Sequence, residues 1–320
     1  MRFLLGLIFS LSFIAVKAQY APAAGKVGST AIYMDSSIIV SWASQCSVIR
    51  GWQNISDTTL GTTTVGTQNS ALGKADNDVI SLGDGGTAIL QFTQAISNGP
   101  GADFAVFENA FDDYFLELAF VEVSSDGQNF VRFPAHSLTQ VNNQVGGFGQ
   151  LQATKINNLA GKYKGGYGTP FDLEELKSIA GLDINHITHI KIIDVVGSID
   201  SLYARHDSAD HIINDPFPTT FPSGGFDLDA VGIMHLSTNI DDRNLSLAVQ
   251  VYPNPAQHQL TVFCQSAVWL HIYSIQGKLL LNKKLKSGAN NISISHLPKG
   301  AYILHLQNNK RFFVKQFIKN

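Results

Sequence analysis

The stretch from Asn98 to Asn109, NGPGADFAVFEN, constrains the fold more than any other in the chain. Asn98-Gly99-Pro100-Gly101 is a dense turn signal. Asp103 then opens, and Glu108 and Asn109 close, the apolar run Phe104-Ala105-Val106-Phe107. A buried strand with acids at both ends needs hydrogen-bond donors, a cation or water at those ends. A second strand of this kind, Gly225-Phe226-Asp227-Leu228-Asp229-Ala230-Val231, lies far downstream. Pairing of these two acid-edged strands within one β-sandwich is the expectation around which the rest is arranged.

The remainder of the chain favours strands. Its 20 Phe and 28 Gly, with many Thr, Ser and Asn, suit short strands and turns, and long helical periodicities are almost absent. Ile38-Ile39-Val40 with Trp42 reads as an early strand, and residues 54–78 as a long surface loop. Val79–Leu82 and Thr87–Phe92 flank Gly83-Asp84-Gly85-Gly86, a turn whose glycines serve positive φ. No helix follows it, which argues against a phosphate loop. Leu118–Ser124 alternates, with Phe120, Glu122 and Ser124 on one face and Val121 and Val123 on the other. Ser125-Asp126-Gly127-Gln128 then turns the chain into Phe130-Val131-Arg132-Phe133, a hairpin signature.

One helix is predicted. Thr169 would cap it, Pro170 take its first position, and Asp172 and Glu174 its positive end; Leu173, Leu176 and Ile179 form the stripe and Gly181 the close. A strand at Ile190–Val196, a long irregular loop from Gly197 to Gly225 and a strand at Phe226–Met234 complete the body. This pattern indicates an antiparallel sandwich.

Residues 1–18 read as a cleaved leader: Arg2, an apolar run from Phe3 to Val16, and Val16-Lys17-Ala18 as the cleavage site. The run is shorter than the roughly 20 residues that span a bilayer. Residues 239–248 read as a linker, and residues 249–320 as a small sandwich with turns at Gln276-Gly277, Ser287-Gly288 and Lys299-Gly300. Cys46 and Cys264 fall in different domains, which excludes a disulfide framework. Charge divides unevenly. Residues 19–238 carry 10 Lys and Arg against 23 Asp and Glu, a balance of −13, whereas residues 239–320 carry 10 against 2, a balance of +8. An acidic body argues against nucleic acid and for cations or basic partners.

The hairpin VEVSSDGQNFVRF resembles the strand–turn–strand signature of discoidin-like, galactose-binding-like jelly rolls. The wider set (SLGDGG at 81–86, NGPGADFAVFENAF at 98–111, ELAFVEVSSDG at 117–127, GYGTPFDL at 166–173 and GGFDLDAVG at 224–232) resembles a family of secreted bacterial cell-surface proteins. VYPNPAQHQLTV at 251–262, HIYSIQGKLL at 271–280, NNISISHLPKGAYILHL at 290–306 and RFFVKQFIKN at 311–320 resemble the type A sorting domain of the type IX secretion system. Tyr252, Pro253, Asn254, Pro255, Gly277, Gly300 and Tyr302 carry that motif here. The resemblance implies an all-β chain: an antiparallel jelly-roll sandwich at 19–238 and an immunoglobulin-like sorting domain at 249–320. It also implies the type IX translocon and a sortase as partners, and a product released or attached at the cell surface.

The strongest candidate chemistry in the body is a Ca²⁺ site formed by Asp103, Glu108, Asn109, Asp194, Asp227 and Asp229, since hard cations take six to eight oxygens. Asp227 and Asp229, two apart, are expected on one sheet face. The same acids can instead cap loops by accepting backbone N–H groups, and the sequence leaves both open. For ligand binding the candidates are Tyr163, Tyr167 and Tyr203, with Phe148 and Phe217, as rings that stack on sugars, and Asp207 and Asp210 beside them. Aromatics that pin loops to the core are the plainer account. Catalysis has thin support: there is no G-x-S-x-G elbow and no H-E-x-x-H helix. His186 with His189, and His206 with Asp207 and His211, lack a recognisable nucleophile. Glu108, Glu117 and Glu122 supply acids for a glycosidase-like pair, which needs about 5–9 Å between carboxyls. The expected function is a non-enzymatic secreted binding protein for an extracellular glycan or surface component. A polysaccharide hydrolase and a structural surface-layer component are the alternatives.

Deleting residues 249–320 is expected to strand the body in the periplasm, read by immunoblotting of cell fractions. Normal delivery of the truncated chain to the exterior would refute the export reading.

Overall fold

A computed structural model describes residues 20–237, 249–308 and 311–320. The leader expected at 1–18 and the linker at 239–248 lie outside the described residues. The chain divides into two compact units, residues 1–237 and 238–320.

Thirteen strands are described in the first unit: β1 (Ile32–Tyr33), β2 (Ser41–Trp42), β3 (Gln45–Ile49), β4 (Ile80–Ser81), β5 (Thr87–Ile96), β6 (Phe104–Glu108), β7 (Ala119–Ser124), β8 (Val131–Arg132), β9 (His136–Ser137), β10 (Ile156–Asn157), β11 (Tyr167–Phe171), β12 (Ile187–Asp194) and β13 (Asp227–Ile233). One sheet runs β1-β11-β6-β13-β2, with β4 also on β13; the other runs β3-β5-β12-β7-β8. All these pairings are antiparallel. The expected neighbours β6 and β13 pair directly, Val106 opposite Val231 and Phe104 opposite Ile233.

The central strands are buried on both faces, which explains their near-continuous apolar sequence. Along β6, Phe104 and Val106 enter the main core, where they meet Leu90, Val121 and Ile190 of the other sheet. Ala105 and Phe107 face outward into a second cluster with Ala230 and Met234, over which Trp42 packs. In β7, Val121 and Val123 join the main core and Phe120 a third cluster with Leu118 and Ile213. Each fully buried ring contributes about 1.5–3 kcal/mol relative to exposure. The β7–β8 hairpin forms at Asp126-Gly127, where Gly127 takes φ 75° and Asp126 accepts the N–H groups of Gln128 and Asn129 at 2.8 Å each.

Three local expectations are corrected. The helix predicted from Thr169 does not form. Thr169 and Pro170 sit in β11, opposite Val106 and Ala105 of β6, and only a single 3₁₀ turn, Leu173–Leu176, follows. Its cap is Asp172, which accepts the Glu174 N–H at 2.9 Å. Pairing with β6 outweighed the capping pattern, and the described β1–β11 register covers only Tyr167 and Gly168, so the missing Pro170 N–H breaks no ladder there. Ile38–Val40 is not a strand; β2 begins at Ser41, and Ile38 and Val40 are exposed. The register of β13 shifts between Leu228 and Ala230. Leu228, Val231 and Ile233 therefore all reach the main core while Ala230 turns to the opposite cluster. This bulge removes the strict alternation that placed Asp227 and Asp229 on one face.

Asp103 secures the start of β6. Fully buried, it accepts the N–H groups of Gly99 and Leu173 at 2.7 Å each and meets His235 Nδ1 at 2.8 Å. It thereby ties the turn, the 3₁₀ segment and the residue two beyond β13 to one carboxyl.

The second unit holds β14 (Gln250–Tyr252), β15 (Gln259–Cys264), β16 (Val268–Ser274), β17 (Leu279–Leu285), β18 (Gly288–Ser293), β19 (Gly300–Asn308) and β20 (Arg311–Lys319). Sheets β14-β15-β18 and β17-β16-β19-β20 enclose one core containing Leu260, Leu270, Ile292, Leu304 and Phe317. The Tyr252-Pro253-Asn254-Pro255 turn clasps the last strand: Asn254 accepts the Ile318 N–H at 2.9 Å, and Ala256 donates to the Ile318 carbonyl at 2.8 Å. Buried Tyr302 stacks on Phe317 at 5.5 Å and donates to the Pro298 carbonyl at 2.6 Å. Gly277 takes φ 83° in the β16–β17 turn.

Asp103→Ala leaves two buried N–H groups without acceptors and removes the partner of His235. A loss of about 3 kcal/mol is expected, read as a lower urea midpoint for the body; a loss under 1 kcal/mol would contradict the role given to this carboxyl.

Candidate ligand cleft at one end of the sandwich

Antiparallel pairing gathers the end of β6, the entry to β7, the end of β12 and the start of β13 at one end of the body. Each carries an acid: Glu108, Glu117, Asp194 and Asp227. Above Glu117 and Asp227 the connecting loops form a cleft of about 270 Å³, walled by Phe111, Phe115, Phe148 and Phe221. Neighbouring rings meet in sequence: Phe111–Phe115 and Phe115–Phe148 stack with centroids 5.9 and 6.2 Å apart, and Phe221 lies tilted against Phe148 at 5.6 Å. Phe111 and Phe148 are among the most exposed apolar side chains of the body, at 87% and 77%.

The loops that carry these rings are built, not loose. Asp112 accepts the N–H groups of Tyr114 and Phe115 at 2.7 and 2.8 Å, and the Leu151 N–H donates to the Tyr114 carbonyl. Gln144 Nε2 reaches the Gly197 carbonyl and Asn214 Oδ1 at 3.0 Å, and the Val145 N–H donates to Asn214 Oδ1. Gly224 turns the Phe221 loop back so tightly that a Cβ there would lie 2.1 Å from the Thr219 carbonyl oxygen.

Glu117 is 8% exposed, lines the cleft, and receives no hydrogen bond or ion pair among the described residues. Burial, and then the charges of Glu108, Asp227, Asp215 and Asp194, push its carboxyl well above the usual range. Asp227 is pushed up to about 6 by burial, against the opposing pull of Ser81 and Arg50. Its Oδ1 and the Ser81 hydroxyl are both buried without a well-formed hydrogen bond among the described residues. Burial also raises Glu108, reinforced by Asp227, although Glu108 accepts the Ala110 N–H at 2.8 Å. Asp215 lies well above its usual range through burial; Oδ2 accepts the Leu118 N–H at 2.8 Å, and Oδ1 has no partner among the described residues.

The remaining acids singled out in the sequence are engaged with backbone. Asp194, pushed up to about 8 by burial and then by Asp84, accepts from Phe226 and Gly85 at 2.8 and 2.9 Å. Asp229 accepts from Asp76 and Asn77 at 3.1 and 3.2 Å. Asn109 is half-buried beside Glu108. Among the described residues no three acids, histidines or cysteines lie close enough together to hold a metal ion.

The proposed ligand residues fall in other places. Tyr163 is buried, its hydroxyl 2.9 Å from Thr30 Oγ1, and packs with Ala24 and Ala153; Tyr167 lies beside it, 5.3 Å from the Tyr33 ring. Tyr203 is half-buried. Asp207 is buried and accepts from Ser137, Ala209 and His211, while Asp210 is exposed with φ 64°. Phe217 is buried at 8%. Of the aromatics considered, Phe148 alone reaches the cleft. Phe111, Phe115, Phe221 and the role of Glu117 were missed. The usable signal was NAFDDYFLEL, where two rings stand four apart in an acidic loop, just ahead of an acid that adjoins an apolar strand.

Residues 250–320 match the family described as "Secretion system C-terminal sorting domain". The protein is exported to the cell surface. The clasped turn and the seven strands above form the unit that carries this address, which implies interaction with the type IX secretion machinery. No helix among the described residues is long and apolar enough to cross a membrane. No curated protein matches the chain. Among solved structures, the BSP domain of a biofilm-associated protein is similar at 10% identity and TM-score 0.20, over 73% of this chain and 48% of that one. PorZ, a surface component of the type IX secretion system of Porphyromonas gingivalis, is similar at 11% identity and TM-score 0.20, over 81% and 40%. A β-glucuronidase of Bacteroides uniformis is similar at 12% and 0.20, over 87% and 34%. The chain thus spans less than half of each, and a TM-score of 0.20 ties neither its fold nor its function to theirs.

The raised carboxyls set a pH dependence. A group that holds its proton more tightly folded than unfolded makes folding less favourable as pH rises from its unfolded value, near 4, through its folded one. Asp84, Asp227 and Asp229 at about 6 and Asp194 at about 8 place this window between about pH 4 and 8. Acids held low, such as Asp112 and Asp126, act below it. The body is therefore expected to melt higher at pH 5.5 than at pH 8. Glu117→Gln should raise its stability at pH 8 by about 1 kcal/mol and flatten the slope, both measured by calorimetry. A body that grows steadily more stable from pH 5.5 to 8 would contradict this.

Proposed function

We propose that this exported protein is a surface-displayed, non-enzymatic binding protein whose body holds a carbohydrate or other surface ligand in the phenylalanine-walled cleft. The observation that carries this reading is the Glu117 side chain, 8% exposed and lining the cleft beneath exposed rings with no hydrogen-bond partner among the described residues. Folding alone gives no reason to leave large phenyl faces in water above a largely buried acid with no protein partner among the described residues, since both features cost stability. A ligand that covers the rings and meets the carboxyl removes both costs. The cleft lies at the small end of ligand sites and fits a head group or one or two sugar rings better than a long chain.

A second reading, polysaccharide hydrolysis, draws on the same floor. Burial raises both carboxyls that line the cleft, Asp227 to about 6 and Glu117 well above the usual range, the latter with its acidic neighbours adding to the effect. Two acids with raised proton affinity in one cleft are the raw material of a general acid and its partner.

Glycan-array binding and a turnover assay on the full exported chain separate the two. Binding without product is expected. Phe148→Ala should weaken binding at least tenfold while leaving the melting temperature unchanged, because that ring is 77% exposed. Product formation lost in both Glu117→Gln and Asp227→Asn would establish hydrolysis instead. Binding that ignores Phe148→Ala would place the ligand elsewhere.

A further inference from the structure

We propose that the group this cleft recognises is a cationic amine, either an alkylammonium or the free amine of an amino sugar, with Glu117 as counter-ion and Phe111, Phe148 and Phe221 presenting π faces to it. This rests on the cleft reading above and narrows its ligand class.

Glu117 sits among like groups. The groups that act on it are all acids: Glu108 from the end of β6, Asp227 from β13, Asp215 from the loop after β12, and Asp194 from the end of β12. The guanidinium groups in the neighbourhood are directed elsewhere. Arg50 acts on Asp227 and donates to the carbonyls of Val65, Ser81 and Gly66, each at 2.7 Å. Arg205 acts on Asp84 and Asp194. The floor of the cleft is thus a cluster of carboxyls that disfavour one another's ionisation, with no cation among the groups that act most on Glu117. An ionised carboxyl left unpaired in such a place is strongly disfavoured, and a ligand cation is what relieves it.

The walls choose among cations. Phenyl faces carry the negative side of a quadrupole and attract an ammonium group placed over them. The phenyl rings offer a neutral sugar's hydroxyl groups no partner, and of the two hydroxyl-bearing residues in the lining, Thr219 and Ser223, the first already accepts the Gly225 N–H at 3.1 Å. A hard divalent ion asks instead for six to eight oxygens. Here one oxygen of Glu108 and one of Asp215 already accept backbone N–H groups, and no three ligating side chains converge among the described residues. The balance of −13 over residues 19–238 adds long-range attraction of the same sign. Binding would displace the proton on the floor to solvent, so affinity for a permanently charged ligand should rise with pH until that carboxyl is ionised without help.

Titration calorimetry on the full chain tests this with matched probes. Choline and tetramethylammonium stand for alkylammonium, with 3,3-dimethylbutan-1-ol as the uncharged twin of choline; glucosamine stands for amino sugars, with glucose as its twin. At least one cation should bind tenfold or more tightly than its twin at pH 7. For choline, affinity should be lower at pH 5 than at pH 7. Glu117→Gln should remove at least tenfold, and Phe148→Ala several-fold. Preference for choline or for glucosamine identifies the source of the amine. Equal binding of the neutral twin, an unchanged Glu117→Gln variant, or no binding of any cation overturns the inference. So does calcium binding that Glu117→Gln abolishes and Phe148→Ala leaves intact. A neutral glycan whose affinity falls in Phe148→Ala would overturn the cationic inference and leave the cleft reading standing.

Discussion

Buried carboxylates accepting backbone N–H groups hold this sandwich together where its strands end. An amide buried without an acceptor costs about 1–3 kcal/mol, and a fold of short strands and long connections has many such amides. Asp103 serves Gly99 and Leu173, Asp194 serves Gly85 and Phe226, Asp229 serves Asp76 and Asn77, and Asp207 serves Ser137, Ala209 and His211. Each joins segments distant in sequence, so the acids act as tie points between loops as well as caps. The acidic balance of the body follows in part from this construction.

Set beside those residues, the floor of the cleft stands out by contrast. Asp103 is as buried as Glu117 or more so, yet it has two amides and a histidine around it, whereas Glu117 has only other acids. The same chemical group is thus used for architecture at one end of β6 and turned toward the cleft, with no hydrogen-bond partner among the described residues, beyond the other. Sites that hold such groups give up stability locally and are supported by the structure around them. Here that support comes from the Gln144–Asn214 network and the capped loop at Asp112, which fix the rings over the floor.

Much of the fold was legible because β6 and β13 are short apolar runs bounded by turn residues and acids, and β7 runs into a clear turn signal. The hairpin at Asp126-Gly127 followed from turn chemistry alone. Capping signals misled at Thr169-Pro170 because a local pattern for helix was overridden by pairing with β6, and the bulge in β13 was invisible because nothing in FDLDAV marks the extra residue. The acids at the strand ends were visible in the sequence, but their division between backbone caps and the cleft floor was not. That division depends on which amides a loop 70 or more residues away delivers, as the contact of Leu173 with Asp103 illustrates. The rings were hidden for the same reason: Phe111, Phe148 and Phe221 come from three separate loops and become neighbours only in three dimensions.

The clasp in the second unit has a bearing on when its surface is complete. β20 pairs with β19 along its length, and its far end returns to Asn254 and Ala256, near the unit's beginning. The small sheet is therefore complete only when β20 has closed on the turn near the start of the unit. The export address is thus a surface finished only when both ends of its own unit are held together.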